Sequence, residues 1–263
     1  MSSGVRSPSR ARIKERTLRQ DNWWISPLLT FLVFTGFVIY ASIRAFMGTD
    51  YYASPYLSPF FSPCLATSCV EGSSDLGQPV GDWWKLSPAL LILIFPLGFR
   101  MTCYYYRKAY YRAFWLSPPA CAVAEPHGRY TGETRLPLIL QNLHRYFWYA
   151  AVLVAAVLTF DTILAFRDET GDWGHMGLGT LIFVVNIVFI WLYTLSCHSC
   201  RHAVGGRLRH FSKHPVRYRL WTWVSGLNTK HAQYAWISLF SVAIADLYVY
   251  LLATDVITDL RFF

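Results

Sequence analysis

Long apolar blocks, separated by short polar and charged stretches, dominate the pattern along the chain. A helix needs roughly 20 mostly apolar residues to cross the hydrocarbon core of a bilayer. Five blocks approach that length and predict spans at 25–46, 86–103, 136–166, 177–197 and 233–254. The second block is the weakest of the five, because Pro88 and Pro96 interrupt its backbone hydrogen bonding. The pattern therefore predicts an all-α membrane protein, a bundle of five transmembrane helices.

The composition agrees with this interpretation. Hydrophobic residues make up 54% of the chain, aromatic residues 17% and charged residues only 15%, whereas soluble domains average about 25% charged residues. The first block follows a basic tail, but it is longer than the apolar region of a signal peptide and lacks a small-residue cleavage site. We therefore expect it to remain in the protein as a span.

Lys and Arg are concentrated in three segments, and their position predicts the orientation. The N-terminal tail carries six, the segment between the second and third spans seven, and the segment between the fourth and fifth spans another seven, out of 24. Such residues favour the cytoplasmic side, so the N-terminus is predicted to be cytoplasmic and the C-terminus outside. The net charge of +9 then follows from topology, without a nucleic-acid partner. A basic cytoplasmic face suits anionic lipid head groups or an acidic soluble subunit.

The predicted organisation is a basic tail at 1–24, a transmembrane domain at 25–254 and an outer tail at 255–263. The domain includes an outer loop at 48–84 and cytoplasmic loops at 104–135 and 198–232. The outer loop is rich in Pro, Ser, Tyr and Phe and is expected to form an irregular cap on the membrane surface. Cys64 and Cys69 lie in it at short spacing, and the oxidising compartment favours a disulfide over two free thiols. No internal repeat is evident.

The other cysteines and most histidines lie on the predicted cytoplasmic side. Antiparallel helices bring the ends of the second and fourth spans to the same depth as the starts of the third and fifth. Cys103, His144, Cys197 with His198, and His231 can therefore converge near the inner leaflet. Each alone is most often a packed or interfacial residue. Four helices that present soft ligands at one level indicate a functional site, as ionisable groups inside membranes commonly do.

Three kinds of centre suit these ligand types. Structural zinc could use Cys197 and Cys200, but the sequence offers no second half-site of that spacing. A haem could be held between His144 and His231, although a second haem near the outer leaflet would find only His175. The third is a Rieske-type 2Fe–2S cluster, which has two thiolates on one iron and two imidazoles on the other.

Several unusual motifs occur between residues 85 and 253. They are MTCYYYRKAYYR at 101–112, SPPACAVAEP at 117–126, QNLHRY at 141–146, CHSCRH at 197–202 and LNTKH at 227–231. Together they resemble the cytochrome b-like membrane-anchor subunit of the actinobacterial type of succinate dehydrogenase, respiratory complex II.

The resemblance implies a subunit of succinate dehydrogenase (quinone) that has neither a flavin nor a dicarboxylate active site of its own. It would anchor a flavoprotein subunit and an iron-sulfur subunit on the cytoplasmic side of the plasma membrane, in contact with membrane lipid. Electrons from succinate would pass to menaquinone or ubiquinone in the respiratory chain. Members of this group differ from two-haem anchors and are linked to a membrane-embedded Rieske-type 2Fe–2S cluster.

The resemblance also directs the choice of site residues. The expected cluster ligands are the thiolates of Cys103 and Cys197 and the imidazoles of His144 and His231, with Cys121 and His198 as reserves. Quinone binding requires donors to the carbonyl oxygens and a stabilising charge. The residues offered for it are Tyr104, Tyr105, Tyr106, Arg107, Arg145 and Tyr146. Tyr and Arg are also common at membrane interfaces, so a purely structural role is the alternative.

Two other functions compete with this hypothesis. One is a membrane cytochrome b of another quinone-linked oxidoreductase, with a single haem b between His144 and His231. The other is a transporter or lipid-binding scaffold without redox chemistry. A transporter typically has broken helices and polar residues near the bilayer midplane. Here the polar residues lie mostly at helix ends, and the exceptions, Asp161 and Asp246, are expected near the outer surface.

Overall fold

The fold is given by a computed structural model that describes residues 19–66, 69–70, 81, 83–126, 136–168 and 170–263. Several predictions therefore fall partly outside the described residues. They concern the first eighteen residues of the basic tail, most of the outer loop after residue 66, and the segment 127–135.

Most of the described chain is helical. The helices are α1 (Ile25–Met47), α2 (Ala89–Ile92), α3 (Ile94–Met101), α4 (Tyr104–Ala113), α5 (Leu136–Asn142), α6 (His144–Leu164), α7 (Leu178–Leu195), α8 (His198–Gly205), α9 (Pro215–Asn228) and α10 (His231–Ala253). Four of them, α1, α6, α7 and α10, are each long and apolar enough to cross a membrane. The bent pair Ala89–Met101 and α4 supplies a fifth if it is counted as one span. The prediction of an all-α membrane protein is confirmed.

The second predicted span is shorter and more broken than the block 86–103. Helical structure begins at Ala89, breaks at Leu93 and ends at Met101. Pro96 explains the break, because its nitrogen cannot donate to the Ile92 carbonyl and its ring crowds that oxygen. At 1.5 Å per residue, Ala89–Met101 extends roughly 20 Å, less than the ~30 Å core of a bilayer. The chain then turns by 78° into α4.

The other predicted boundaries differ in two places. The block 136–166 is predicted as one helix, but it is divided at Leu143 into α5 and α6. The predicted cytoplasmic loops contain α4, α8, α9 and a 3-10 turn at Phe211–Lys213. These helices mix basic and aromatic residues, so they do not stand out by hydropathy. For α9 the sequence does carry a start signal, because Pro215 occupies the first helical turn.

The long helices form a bundle with two different ends. α10 packs against α7, α3 against α6, α6 against α7, and α1 against α4. At one end α1, α6 and α10 begin while α3 and α7 terminate; we call this the basic end, since α4, α8 and α9 with their Lys and Arg residues lie there. The opposite end carries two short antiparallel strands, β1 (Tyr52–Ala53) and β2 (Tyr56–Leu57); we call it the hairpin end.

Residues 48–66 are inserted into the hairpin end rather than spread over a surface. Tyr56 is fully buried. The Ser58 hydroxyl donates to Asp246 of α10 at 2.5 Å, and the Ser62 hydroxyl donates to Asp161 of α6. The expectation of an irregular surface cap is therefore wrong for these residues. The two carboxylates inside the bundle provide acceptors that draw the serines of the loop inward.

A buried ion pair joins α1 to α10 at this end. Arg44 Nε lies 2.9 Å from Asp246 Oδ2, and these residues are 2% and 0% exposed. The Tyr40 hydroxyl donates to the same carboxylate at 2.5 Å. The guanidinium also donates to the carbonyls of Thr49 and Asp50. Both charges are therefore compensated within the bundle, as a buried ion pair requires.

The six cysteines differ in state between the two ends. Cys64 and Cys69 form a disulfide with Cα atoms 5.8 Å apart in the segment that follows the hairpin. The other four, at the basic end, are free thiols: Cys103, Cys121, Cys197 and Cys200. Only the basic end therefore offers thiols to a metal.

The contact between α3 and α6 depends on a glycine. A Cβ atom added to Gly98 would lie 2.3 Å from the Phe147 ring. We expect Gly98→Ala to destabilise the assembled protein by about 1–3 kcal/mol, because a side chain forced into a packed interface displaces its neighbours. Gly36→Ala in α1 is the matched control, since its Cβ would meet nothing within 4 Å. Thermal unfolding in detergent measures both, and equal midpoints for the two variants would contradict this packing.

Candidate metal centre

Two cysteines occupy equivalent positions at the ends of transmembrane helices. Cys103 lies between α3 and α4, and Cys197 lies between α7 and α8. Both adopt the same extended backbone, with φ −69° and ψ 134° for Cys103 and φ −65° and ψ 146° for Cys197. Each therefore acts as the N-cap of the short helix that follows. Both thiols are buried at 1% exposure.

Two histidines approach these thiols from the other pair of helices. His144 is the first residue of α6 and His231 is the first residue of α10. His144 Nε2 lies 3.1 Å from Cys197 Sγ, and His231 Nε2 lies 3.6 Å from Cys103 Sγ. The side chains thus form two thiol–imidazole pairs. They are crossed, because His144 of α6 contacts the cysteine at the end of α7, and His231 of α10 contacts the cysteine at the end of α3.

The two pairs belong to one buried cluster. The ring of Phe99 stacks on His144 and that of Tyr193 stacks on His231, and the centroids of the Phe99 and Tyr193 rings are 5.0 Å apart. Trp148 and Leu239 belong to the same buried cluster as the two thiols. The Tyr193 hydroxyl is buried beside the Cys103 thiol. The four candidate ligands therefore share one buried environment lined by aromatic residues.

The two reserve ligands differ in position. The ring of His198 is 6.5 Å from that of His231, and burial together with the nearby Arg201 charge lowers its pKa. Cys121 is exposed, and its sulfur accepts from Arg112 at 3.8 Å. The structure therefore brings together Cys103, Cys197 and the two histidines, with His198 beside His231, and leaves Cys121 outside.

The donor set can be compared with the centres considered above. Across the described ranges, no three His, Cys, Asp or Glu side chains gather as ligands of a single metal ion. A 2Fe–2S cluster of the Rieske type needs only two ligands on each iron, two thiolates and two imidazoles in all. In number and kind the four central side chains fit that requirement. The same two thiols and two imidazoles also form a Cys₂His₂ set, of the kind that structural zinc uses.

The residues predicted for quinone are dispersed. A cavity of about 510 Å³ opens between the start of α1, α4 and the start of α10, and Tyr105 lines it. Tyr106 is enclosed, and its hydroxyl donates to the Ala235 carbonyl at 2.5 Å. Arg107 stacks over a neighbouring ring, Arg145 contacts His202, and Tyr146 is exposed. The structure thus associates only Tyr105 of this set with the cavity.

Three residues near the centre were missed as site residues. Arg100 donates to the Tyr106 hydroxyl and to the backbone carbonyls of α10, and its guanidinium lies 5.0 Å from the Tyr193 ring centroid. Its position as the sole charge inside an apolar block was a signal for this role. Thr102 and Ser196 contact the two imidazoles. Their signal was that a hydroxyl residue precedes each central cysteine.

Comparison with known proteins agrees with this architecture. The family model described as actinobacterial succinate dehydrogenase subunit SdhC matches residues 25–255. The chain belongs to this family. The resemblance inferred from the sequence is therefore confirmed, and the chain is a membrane subunit of a succinate dehydrogenase complex, an oxidoreductase.

A solved structure extends the match over the whole length of this SdhC-family chain. It is similar to a chain of the Mycobacterium smegmatis Sdh1 complex in the apo form, at 58% identity over 100% of both chains and with a TM-score of 0.87. None of the curated proteins compared with the chain matches it.

Proposed function

We propose that this subunit anchors a succinate:quinone oxidoreductase in the plasma membrane and carries electrons to quinone by way of a Rieske-type 2Fe–2S centre. The observation that carries the proposal is the pair of crossed thiol–imidazole contacts inside a member of this family. Cys103 and Cys197 would hold one iron, and His144 and His231 the other. When bound, the cluster would exchange single electrons at a potential that imidazole ligation raises.

The surroundings support such a centre. Two thiolates add negative charge, and Arg100 brings a fixed positive charge to the same region through its contact with Tyr106. The aromatic residues Phe99 and Tyr193 are buried against the two imidazoles and exclude water. A dry shell of this kind strengthens the electrostatic interaction of Arg100 with the ligands.

The cavity at the start of α1 supports a quinone site beside the centre. Its lining includes Trp23, Tyr105, Lys108, Arg112 and Trp236, a mixture of aromatic and cationic side chains suited to a ring with two carbonyl oxygens. The volume falls in the range of ligand pockets, about 300–1,000 Å³. The Tyr105 ring centroid lies 5.6 Å from that of His231. We propose that Tyr105 donates to a carbonyl and that Lys108 stabilises charge on the reduced ring.

This assignment predicts a selective loss of quinone turnover. Tyr105→Phe and Lys108→Gln should each lower kcat/KM for quinone about tenfold, because each removes one polar interaction worth roughly 1.4 kcal/mol. Succinate oxidation with a soluble artificial acceptor should be unchanged. Tyr149→Phe on the outward face of α6 is the matched control. If both activities fall together in the variants, the residues act in assembly rather than in quinone binding.

The partners and orientation form part of the same proposal. The basic end is placed in the cytoplasm, where flavoprotein and iron-sulfur subunits dock on it and anionic lipid surrounds its rim. The dicarboxylate site then lies on the flavoprotein subunit and not on this chain. Val256→Cys and Leu208→Cys, each introduced alone with all native cysteines kept, test the orientation in intact cells. A reagent that does not cross membranes should label position 256 and leave position 208 unlabelled.

A haem between His144 and His231 is the competing proposal. Each Nε2 atom faces a thiol, which favours the iron–sulfur centre. The reduced-minus-oxidised absorption spectrum separates the two, because a haem gives sharp bands and a 2Fe–2S cluster gives broad ones.

A further inference from the structure

The two halves of the centre share a local arrangement that extends beyond the four ligands. In each half an aromatic residue precedes the cysteine by four positions and a hydroxyl residue precedes it directly. The two sets are Phe99, Thr102 and Cys103 in one half, and Tyr193, Ser196 and Cys197 in the other. The correspondence shows that a short motif does recur, although the sequence displays no repeat at the level of whole segments.

Each half contacts both histidines in the same crossed way. Thr102 Oγ1 lies 2.8 Å from His144 Nδ1, and Ser196 Oγ lies 2.7 Å from His231 Nδ1. The ring of His144 stacks on Phe99 with 9° between the planes, and that of His231 stacks on Tyr193 with 13°. Stacking fixes the plane of each ring, and the hydroxyl fixes its rotation.

The direction of these two hydrogen bonds follows from the remaining contacts of the hydroxyls. Thr102 donates its hydroxyl hydrogen to the Gly98 carbonyl at 2.7 Å, and Ser196 donates to the Tyr193 carbonyl at 3.1 Å. A hydroxyl has one hydrogen and two acceptor lone pairs. Since the hydrogen is used toward the helix, each oxygen accepts from Nδ1–H of its histidine. The lone pair of the neutral imidazole is then on Nε2, which faces the thiol.

We propose that Thr102 and Ser196 are positioning residues that hold both histidines in the Nδ1-protonated tautomer, so that both bind the centre through Nε2. This assignment rests on the proposed function. The partner of the non-ligating nitrogen sets ring orientation and ligand basicity in metal sites, and its loss typically costs 10–100-fold in metal affinity. Because donation of Nδ1–H to the hydroxyl oxygen makes the imidazole a stronger electron-pair donor to iron, losing this hydrogen bond disfavours the oxidised state.

Nitrogen labelling of the intact complex tests the assignment without any substitution. The complex is prepared with histidine labelled with ¹⁵N at Nε2 or at Nδ1, and pulsed electron paramagnetic resonance records the couplings of the reduced centre. The strong couplings should belong to Nε2. Strong couplings from Nδ1 would overturn the tautomer assignment and leave the proposed function intact. A reduced complex without any centre coupled to histidine nitrogen would overturn both.

Two substitutions test the role of the hydroxyls. Thr102→Val and Ser196→Ala should each move the reduction potential of the centre to more positive values. They should also lower its affinity for iron about 10–100-fold, measured by competition with a chelator. Thr102→Ser should restore the parental potential. Thr194→Val is the matched control, because its hydroxyl donates to the Ile190 carbonyl and not to a histidine. An unchanged potential in both hydroxyl-deleting variants would overturn the positioning role.

Discussion

His144→Ala and His231→Ala should each abolish the paramagnetic signal of the membrane centre and the reduction of quinone. The reason is that each imidazole comes from the first turn of a different helix and faces a different thiol, so neither can replace the other. Succinate oxidation with a soluble acceptor should continue, because the proposed dicarboxylate site lies on another subunit. Electron paramagnetic resonance and the two activities are measured on the same purified complex.

Two controls keep this prediction specific. His175→Ala removes a histidine near the hairpin end that lies 3.9 Å from Asp168, and Cys200→Ala removes a buried thiol at the basic end. Both should retain the signal. Its survival in the His144 and His231 variants would eliminate these residues as ligands. Loss of the soluble-acceptor activity as well would instead indicate that the complex fails to assemble.

Asp246→Ala should destabilise the subunit by about 3–5 kcal/mol, the largest change in stability that we expect from a single substitution. Removal of the carboxylate leaves the Arg44 guanidinium buried without its counter-charge. It also leaves the hydroxyls of Tyr40 and Ser58 without the acceptor they share. The midpoint of thermal unfolding in detergent and the yield of intact complex both measure the effect.

A double substitution separates the charge effect from packing. Replacement of a buried ion pair by apolar residues of similar volume is often neutral or stabilising. Arg44→Met combined with Asp246→Leu should therefore be more stable than Asp246→Ala alone. If the double variant is less stable than Asp246→Ala, the ion pair does not determine the stability of the hairpin end.

The helices were predictable wherever apolar length alone decides the structure. The predicted bounds of α1, α7 and α10 agree with the observed ones to within about two residues, because lipid-exposed helices need uninterrupted apolar sequence. Hydropathy does not register the break at Leu93, which follows from the missing N–H of Pro96. It also misses α9, whose polar and aromatic residues resemble a loop in composition.

The candidate centre was predictable in part for the same reason. Antiparallel topology places Cys103, His144, Cys197 and His231 at one depth whatever their detailed contacts. The crossed pairing depends on how each helix is rotated and on the extended backbone at the two cysteines, neither of which hydropathy encodes. The loop serines that reach Asp161 and Asp246 were missed because contacts over such sequence distances leave no local pattern.

The most direct test of a Rieske-type centre on this chain is the low-temperature electron paramagnetic resonance spectrum of the reduced complex, purified through a tag on this subunit. The spectrum should contain a 2Fe–2S signal with couplings from two histidine nitrogens. That signal should disappear in Cys103→Ser, and the signals of the co-purified iron-sulfur subunit should remain. A spectrum in which every iron–sulfur signal persists in Cys103→Ser, or in which no signal carries histidine coupling, would contradict the account.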